Sequence, residues 1–232
     1  MQSKVQSILS ELKKLGNEKD RQGMGRFGIN IQNAYGVSVY VLREIAKKYK
    51  KNHQLALDLW KTGIHEAQLL ACFVEDTTVV TEKQIESWLK DFDSWDVCDL
   101  CCSNVFDKTA FAYAKAVAWT KRKEEFVKRA GFVLMAALSV HDKKADDSVF
   151  ITFLPIIKRE STDERNFVRK AVNWAIRQIG KRNLNLNKKA IAISKEIQKI
   201  DSKTAKWIAN DALRELTAEK MQQRLKEKSS KQ

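Results

Sequence analysis

One stretch, Phe126-Val127-Lys128-Arg129-Ala130, recurs 41 residues later as Phe167-Val168-Arg169-Lys170-Ala171. The two copies share, in the same order, an aromatic residue, a valine, two basic residues and an alanine. Self-similarity at a spacing of this size is typical of stacked structural units, each of which buries its apolar face only against its neighbours. The echo therefore predicts a repeat architecture.

Apolar residues recur at three- and four-residue spacing through most of the 232-residue chain, which is the pattern of amphipathic helices. The chain has only 8 glycines and 1 proline, too few for the turns of β-sandwiches, barrels or doubly wound sheets. We predict an all-α fold with helices over 37–50, 55–60, 66–75, 82–90, 97–106, 110–120, 124–138, 148–159, 166–181, 188–200 and 205–216.

The period of 41 residues is that of HEAT or armadillo units. Small residues also recur near the middle of other predicted helices, at Ala67, Cys98 and Ala209, which is weaker evidence for further repeats. We therefore predict a curved α-solenoid of antiparallel helix pairs over residues 1–217, with a plain helical bundle as the alternative. Residues 218–232 contain few apolar side chains, so we expect a frayed helix end or a disordered tail.

The charge balance is strongly basic, because 43 Lys and Arg face 29 Asp and Glu for a net charge of +14. Such an excess favours an anionic partner, above all nucleic acid. Basic residues are in excess over residues 1–52 and 118–232, whereas acidic residues are in excess over residues 53–117. If the helices stack in chain order, an acidic patch would lie within a basic surface.

The four cysteines, Cys72, Cys98, Cys101 and Cys102, are too few and too clustered for a disulfide framework. A structural zinc site usually takes four ligands from two separated pairs, and the second pair is missing here. We therefore expect no metal site. Because no apolar run approaches the roughly 18 residues needed to span a bilayer, we expect a cytoplasmic protein with no membrane contact.

Residues 91–102 contain several carboxylates close to Trp95, at the start of a predicted helix. Ser94 can cap this helix. Asp99 follows Trp95 by one helical turn, so an indole and a carboxylate share one face. Such a pair can hold a cationic group by stacking and charge. The alternative is that Trp95 belongs to the core and that the acids only favour a helix N-terminus.

Arg129 and Trp174 lie at similar places beside the two copies of the repeated stretch, so both are candidates for one concave surface. The alternative is that Trp174 packs between repeats and that Arg129 is a solvated charge. Basic clusters near helix ends can form a stripe that contacts successive phosphates, or simply a generic basic surface. From the repeats and clusters we take Lys128, Arg169, Arg177, Lys181 and Arg182 as DNA-binding candidates.

At these residues the sequence resembles the HEAT-like repeat DNA alkylation-repair glycosylases of the AlkD type. The resemblance covers nearly the whole chain and rests on Met24-Gly25-Arg26-Phe27, Ser94-Trp95-Asp96-Val97-Cys98-Asp99, Lys128-Arg129-Ala130 and Asn173-Trp174-Ala175-Ile176-Arg177. It implies an enzyme that needs no cofactor and removes cationic N3- and N7-alkylated purines from double-stranded DNA. A monomer is the default expectation, although solenoids can dimerise through their ends. Two alternatives stay open: a noncatalytic binder of distorted or branched DNA, and a helical-repeat scaffold for an acidic protein.

The resemblance also implies roles for individual residues. Asp99 matches the catalytic aspartate, and Trp95 and Trp174 match the aromatic residues of the active cleft. Arg129 matches the cleft arginine near the lesion backbone. Phe27 stands where the best-known members carry a tyrosine near the DNA, so this chain lacks that hydroxyl contact.

Overall fold

The structure is a computed structural model that describes residues 2–230, with side chains from residue 4 onwards. Within that range the chain is helical and has no strand. The helices are α1 (Gln2–Leu15), α2 (Glu18–Arg26), α3 (Val39–Ala46), α4 (His53–Trp60), α5 (His65–Val74), α6 (Glu82–Leu89), α7 (Trp95–Asn104), α8 (Ala112–Trp119), α9 (Glu125–His141), α10 (Asp147–Arg159), α11 (Asn166–Gly180), α12 (Leu184–Gln198), α13 (Lys203–Leu216) and α14 (Glu219–Ser229). None of the described helices has the length and apolar character needed to cross a bilayer.

The prediction of an all-helical fold is confirmed, and the predicted segments correspond to α3 through α13 with shifts of a few residues at their ends. Helices α1, α2 and α14 were not predicted. Where the sequence favoured a frayed or disordered tail, the structure has α14, because Met221 and Leu225 share one helical face and Leu225 is buried.

Local sequence explains where many helices begin. Side chains with a short polar group occupy the N-cap positions and accept a hydrogen bond from a backbone N–H of the first turn. These capping residues are Asn17, Ser38, Asn52, Thr81, Asp146, Asn183 and Ser202. At these seven helices the start is therefore fixed by a residue adjacent in sequence.

The described chain divides into two compact units, one ending at Ala110 and the other beginning at Phe111. The extent of a single repeat domain over 1–217 stays a prediction. In unit 1, α5 packs against both α3 and α7, whereas α4 contacts α1 and α5. Trp60 of α4 stacks on Trp88 of α6, with ring centroids 4.1 Å apart. Alternate helices therefore share a layer.

Unit 2 repeats this arrangement. Helix α11 packs between α9 and α13 in one layer, while α12 contacts α10 and α14 in the other. Phe126 and Phe167, the first residues of the repeated stretch, lie at the starts of α9 and α11 with ring centroids 5.4 Å apart. The sequence echo thus marks equivalent positions on neighbouring helices, as a HEAT-like repeat requires.

Gly131 allows α9 to approach α8 closely. An added Cβ would lie 2.9 Å from the Thr120 backbone nitrogen and 3.0 Å from the Ala116 carbonyl oxygen. We expect Gly131→Ala to lower the free energy of unfolding by about 1–3 kcal/mol, because backbone atoms must move. In Gly23→Ala the Cβ meets only the Arg26 side chain at 3.8 Å, so this variant should gain up to about 1 kcal/mol from helix propensity. Urea denaturation measures both, and equal stabilities would contradict the close-approach explanation.

Candidate functional site

Trp95 begins α7 and is partly exposed rather than a core residue. Its indole Nε1 donates a hydrogen bond of 3.1 Å to the backbone carbonyl oxygen of Phe27. Phe27 follows α2 directly and leaves 73% of its own surface exposed. The chain thus brings together two aromatic residues that are far apart in sequence, and neither is committed to the core.

Asp99 lies one turn after Trp95 on the same face of α7 and is also partly exposed. The other carboxylates of this stretch hold neighbouring elements in place. Asp91 accepts a hydrogen bond from Trp60 Nε1 at 2.8 Å, and Asp93 accepts one from Asn30 Nδ2 at 2.6 Å. At least these two acids therefore hold elements of unit 1 together.

Ser94 occupies the N-cap position of α7, but its side chain makes no capping hydrogen bond, contrary to the expectation from sequence. Its hydroxyl oxygen accepts a hydrogen bond from the Asn30 backbone N–H at 2.9 Å and donates one to Asp93 at 3.0 Å. Since Asn30 lies in the loop between α2 and α3, Ser94 fixes that loop to the start of α7.

Asp96 joins α7 to α5 through a buried pair. Its Oδ2 lies 2.9 Å from His65 Nε2, and His65 is only 4% exposed. Burial acts to lower the pKa of His65, but the hydrogen bond and negative charge of Asp96 outweigh it and raise that pKa above its ordinary value of 6.5. The pair sets the position of the helix that carries Trp95 and Asp99.

The His65–Asp96 pair predicts a pH-dependent contribution to stability. Because the pKa of folded His65 is raised, the contribution is fully present below the unfolded pKa of about 6.5 and is lost as pH rises through the folded pKa. We expect Asp96→Asn to destabilise the protein more at about pH 6 than at about pH 9. Urea denaturation of wild type and variant at both pH values measures this difference. A destabilisation that does not vary with pH would show that the pair is not ionic.

Glu66 on α5 is a structural residue that the sequence analysis missed. It is fully buried, and its carboxylate accepts hydrogen bonds from the backbone N–H groups of Tyr35 at 2.9 Å, Gly36 at 2.7 Å and Val37 at 3.2 Å. Gly36 has a φ of +81°, a conformation that favours glycine. The available signal was a glutamate in a predominantly apolar helix, and a buried glutamate needs a partner that only the fold supplies.

In unit 2, Arg129 is buried, with 5% of its surface exposed, and is not a solvated charge. Its Nη1 donates a hydrogen bond of 2.7 Å to the Phe167 carbonyl oxygen, which ties α9 to α11. Asn173 makes a similar bond of 3.2 Å from α11 to the Ile208 carbonyl oxygen of α13. Trp174, next to Asn173, stays partly exposed.

Three of the predicted DNA-binding cations already pair with carboxylates. The Lys128 ammonium lies 2.6 Å from Glu160 and 3.3 Å from Asp163. Arg177 and Lys181 share Glu215, at 2.7 Å and 2.8 Å. Phosphate contacts by these side chains would compete with internal ion pairs.

The two remaining predicted cations interact with aromatic rings. The Arg169 guanidinium lies 5.3 Å from the centroid of the Trp207 ring. Arg182 is 4.4 Å from the Phe150 ring and donates hydrogen bonds to the carbonyl oxygens of Ser139 and Ala145. It is only 9% exposed and holds the C-terminal end of α9.

Comparison of the sequence with models of known protein families identifies the family of this chain. The sequence model of a family described as DNA alkylation repair enzyme matches residues 8–216. The chain belongs to the DNA alkylation repair enzyme family. The resemblance inferred from the motifs is therefore confirmed at the level of the family.

The chain is distantly similar to three other proteins. The chain is 25% identical over 169 residues to the uncharacterized protein Lin0241 of Listeria innocua, covering 72% of this chain and 73% of that protein. It is 24% identical to Lmo0209 of Listeria monocytogenes, with the same coverage. A solved structure described as a new family related to the HEAT-like repeat DNA glycosylases with affinity for branched DNA superposes with a TM-score of 0.76. That match, at 21% identity over 90% of this chain and 94% of the other, supports the fold.

In this member of the DNA alkylation repair enzyme family, unit 1 holds Phe27, Trp95 and Asp99, and unit 2 holds Arg129 and Trp174. The assigned roles of these residues stay predictions. The cysteines lie inside unit 1, with Cys72 Sγ and Cys101 Sγ 2.9 Å apart, and burial raises the pKa of Cys101 well above its usual range. Among residues 4–230, no group of three His, Cys, Asp or Glu side chains is arranged to hold a metal ion.

Proposed function

We propose that the protein is a DNA glycosylase that hydrolyses the N-glycosidic bond of cationic N3- and N7-alkylated purines in double-stranded DNA. One observation carries the proposal: Trp95 and Asp99 share a face of α7 and both stay accessible, while the Phe27 carbonyl fixes the indole. Membership of the DNA alkylation repair enzyme family supports the same reaction class.

Hydrolysis of this N-glycosidic bond requires few protein side chains. An alkylated purine of this kind already carries a positive charge, so it can leave without being protonated by the enzyme. The remaining requirement is an anion that stabilises the oxocarbenium-like sugar and orients the attacking water. We assign this task to the Asp99 carboxylate, with Trp95 stacking against the lesion nucleotide.

The position of Asp99 along α7 favours it for this role. Asp99 shares a face of the helix with Trp95, whereas Asp91 and Asp93 precede the helix and Asp96 contacts His65 of α5. Asp99 projects from the first turns of α7, a helix whose start is fixed by Asp96 and Ser94. A fixed helix keeps the carboxylate in one geometry, which electrostatic stabilisation of a transition state requires.

A second candidate function is binding of branched DNA. The solved structure with the same fold is described by its affinity for branched DNA, and Phe27 lacks the hydroxyl of the tyrosine expected near DNA. In this function an exposed aromatic ring would stack on bases at a junction, and no bond would be cleaved.

Release of alkylated purine from methylating-agent-treated duplex DNA tests the proposal directly. A glycosylase should release base from this duplex and should leave untreated duplex intact. No release, together with binding to a four-way junction that exceeds binding to duplex at the same salt concentration, would contradict glycosylase activity and support the second function. The salt concentration must be matched because phosphate contacts dominate affinity.

A further inference from the structure

A basic cavity lies in unit 2, and neither Arg129 nor Trp174 is among the residues that line it. Its volume is about 490 Å³, and its walls come from the end of α9, the end of α11, the loop before α12, and α14. Five cations line it: Lys143, Lys181, Arg182, Arg224 and Lys228. Asp147 is the carboxylate among the lining residues.

This cavity has little internal counter-charge. The two oxygens of Asp147 accept hydrogen bonds of 2.7 Å from the side-chain amides of Asn183 and Asn185. Lys181 pairs with Glu215. Within the described side chains, no carboxylate lies at ion-pair distance from Lys143, Arg224 or Lys228.

Two of the five cations, Arg182 and Lys228, are also held in place. Arg182 is 9% exposed and fixed by two backbone carbonyls, and Lys228 donates a hydrogen bond of 2.7 Å to the Arg182 carbonyl oxygen. Burial, followed by the charges of Lys143, Arg182 and Arg224, lowers the pKa of Lys228. Fixed like charges around one cavity repel one another, and a bound anion would relieve that repulsion.

We propose that this cavity is a binding site for phosphate groups. Lys143 and Arg224 would contact the phosphate oxygens, and Arg182 would supply a fixed positive charge in the wall. The volume lies within the range of small-ligand sites, roughly 300–1,000 Å³, and exceeds what one phosphate fills. The site therefore takes two neighbouring phosphates, either from a DNA backbone or from a small phosphorylated molecule. This inference does not depend on glycosylase activity.

Pyrophosphate is the probe, titrated by calorimetry at constant ionic strength. The cavity variant is Lys143→Gln with Arg224→Gln, which removes two of the three exposed cations of the cavity. The matched control is Lys195→Gln with Lys199→Gln, which removes the same charge from two exposed positions outside the cavity, one in α12 and one at its C-cap. Thermal melts establish that both double variants are folded.

We expect the control to bind pyrophosphate like wild type and the cavity variant to bind at least about tenfold more weakly, since charge-assisted hydrogen bonds are lost. Equal weakening in both variants, or no binding to wild type at millimolar pyrophosphate, would overturn the proposal. Duplex DNA then distinguishes the two sources. If the cavity variant loses more affinity for duplex DNA than the control does, the phosphates belong to a DNA backbone. If the two variants lose equal affinity for duplex DNA, the ligand is a small phosphorylated molecule.

Discussion

Replacing Asp99 by asparagine is expected to slow release of alkylated purine by about 100-fold or more, with DNA affinity unchanged or slightly higher. The magnitude follows from removal of one preorganised group that stabilises transition-state charge. Affinity should not fall, because the substitution removes a negative charge near phosphates. Single-turnover release from methylated duplex and binding to untreated duplex measure the two effects separately.

Asp20→Asn is the matched control for this experiment. It neutralises an exposed carboxylate of α2 in the same unit, so a general effect of charge on DNA binding would appear in both variants. Wild-type release by Asp99→Asn would contradict the assigned role. If Asp99→Asn has the same melting temperature as wild type, slow release does not reflect unfolding.

Glu66→Ala is expected to lower the free energy of unfolding by about 3–5 kcal/mol. The substitution leaves the backbone N–H groups of Tyr35, Gly36 and Val37 without their acceptor in a buried place, and each unsatisfied group costs about 1–3 kcal/mol. Loss of the acceptor is partly offset because a buried carboxylate no longer has to be desolvated. Urea denaturation measures the change.

Glu44→Ala provides the control, since Glu44 makes only an exposed pair with Lys47 at 2.6 Å. Its loss should change stability by no more than about 0.5 kcal/mol. Glu66→Gln, which keeps one acceptor oxygen, should fall between the two variants. A Glu66→Ala protein as stable as Glu44→Ala would contradict the anchoring role. Because the anchored loop carries Phe27, Glu66→Ala should also slow base release.

Helix positions and fold class could be predicted from sequence because both depend on neighbours along the chain. Apolar spacing located α3 through α13, and residues such as Asn52 and Thr81 cap their own helices. The echo of Phe126 at Phe167 correctly indicated repeats, since equivalent residues meet in the structure. The same reasoning missed α14, whose burial rests mainly on one residue, Leu225.

The candidate site could be predicted only in part. The pairing of Trp95 with Asp99 follows from helical geometry, which the sequence supplies. By itself the sequence determined the all-helical repeat fold, the family and this pair, because short-range periodicity and motif order encode them. Only the tertiary structure decided that Ser94 bonds Asn30, that Glu66 anchors the loop before α3, and that Arg129 is buried. A buried polar group needs a hydrogen-bond partner. In these three cases the burial and the partner both result from packing between segments that are far apart in the chain, so neighbouring residues do not reveal them.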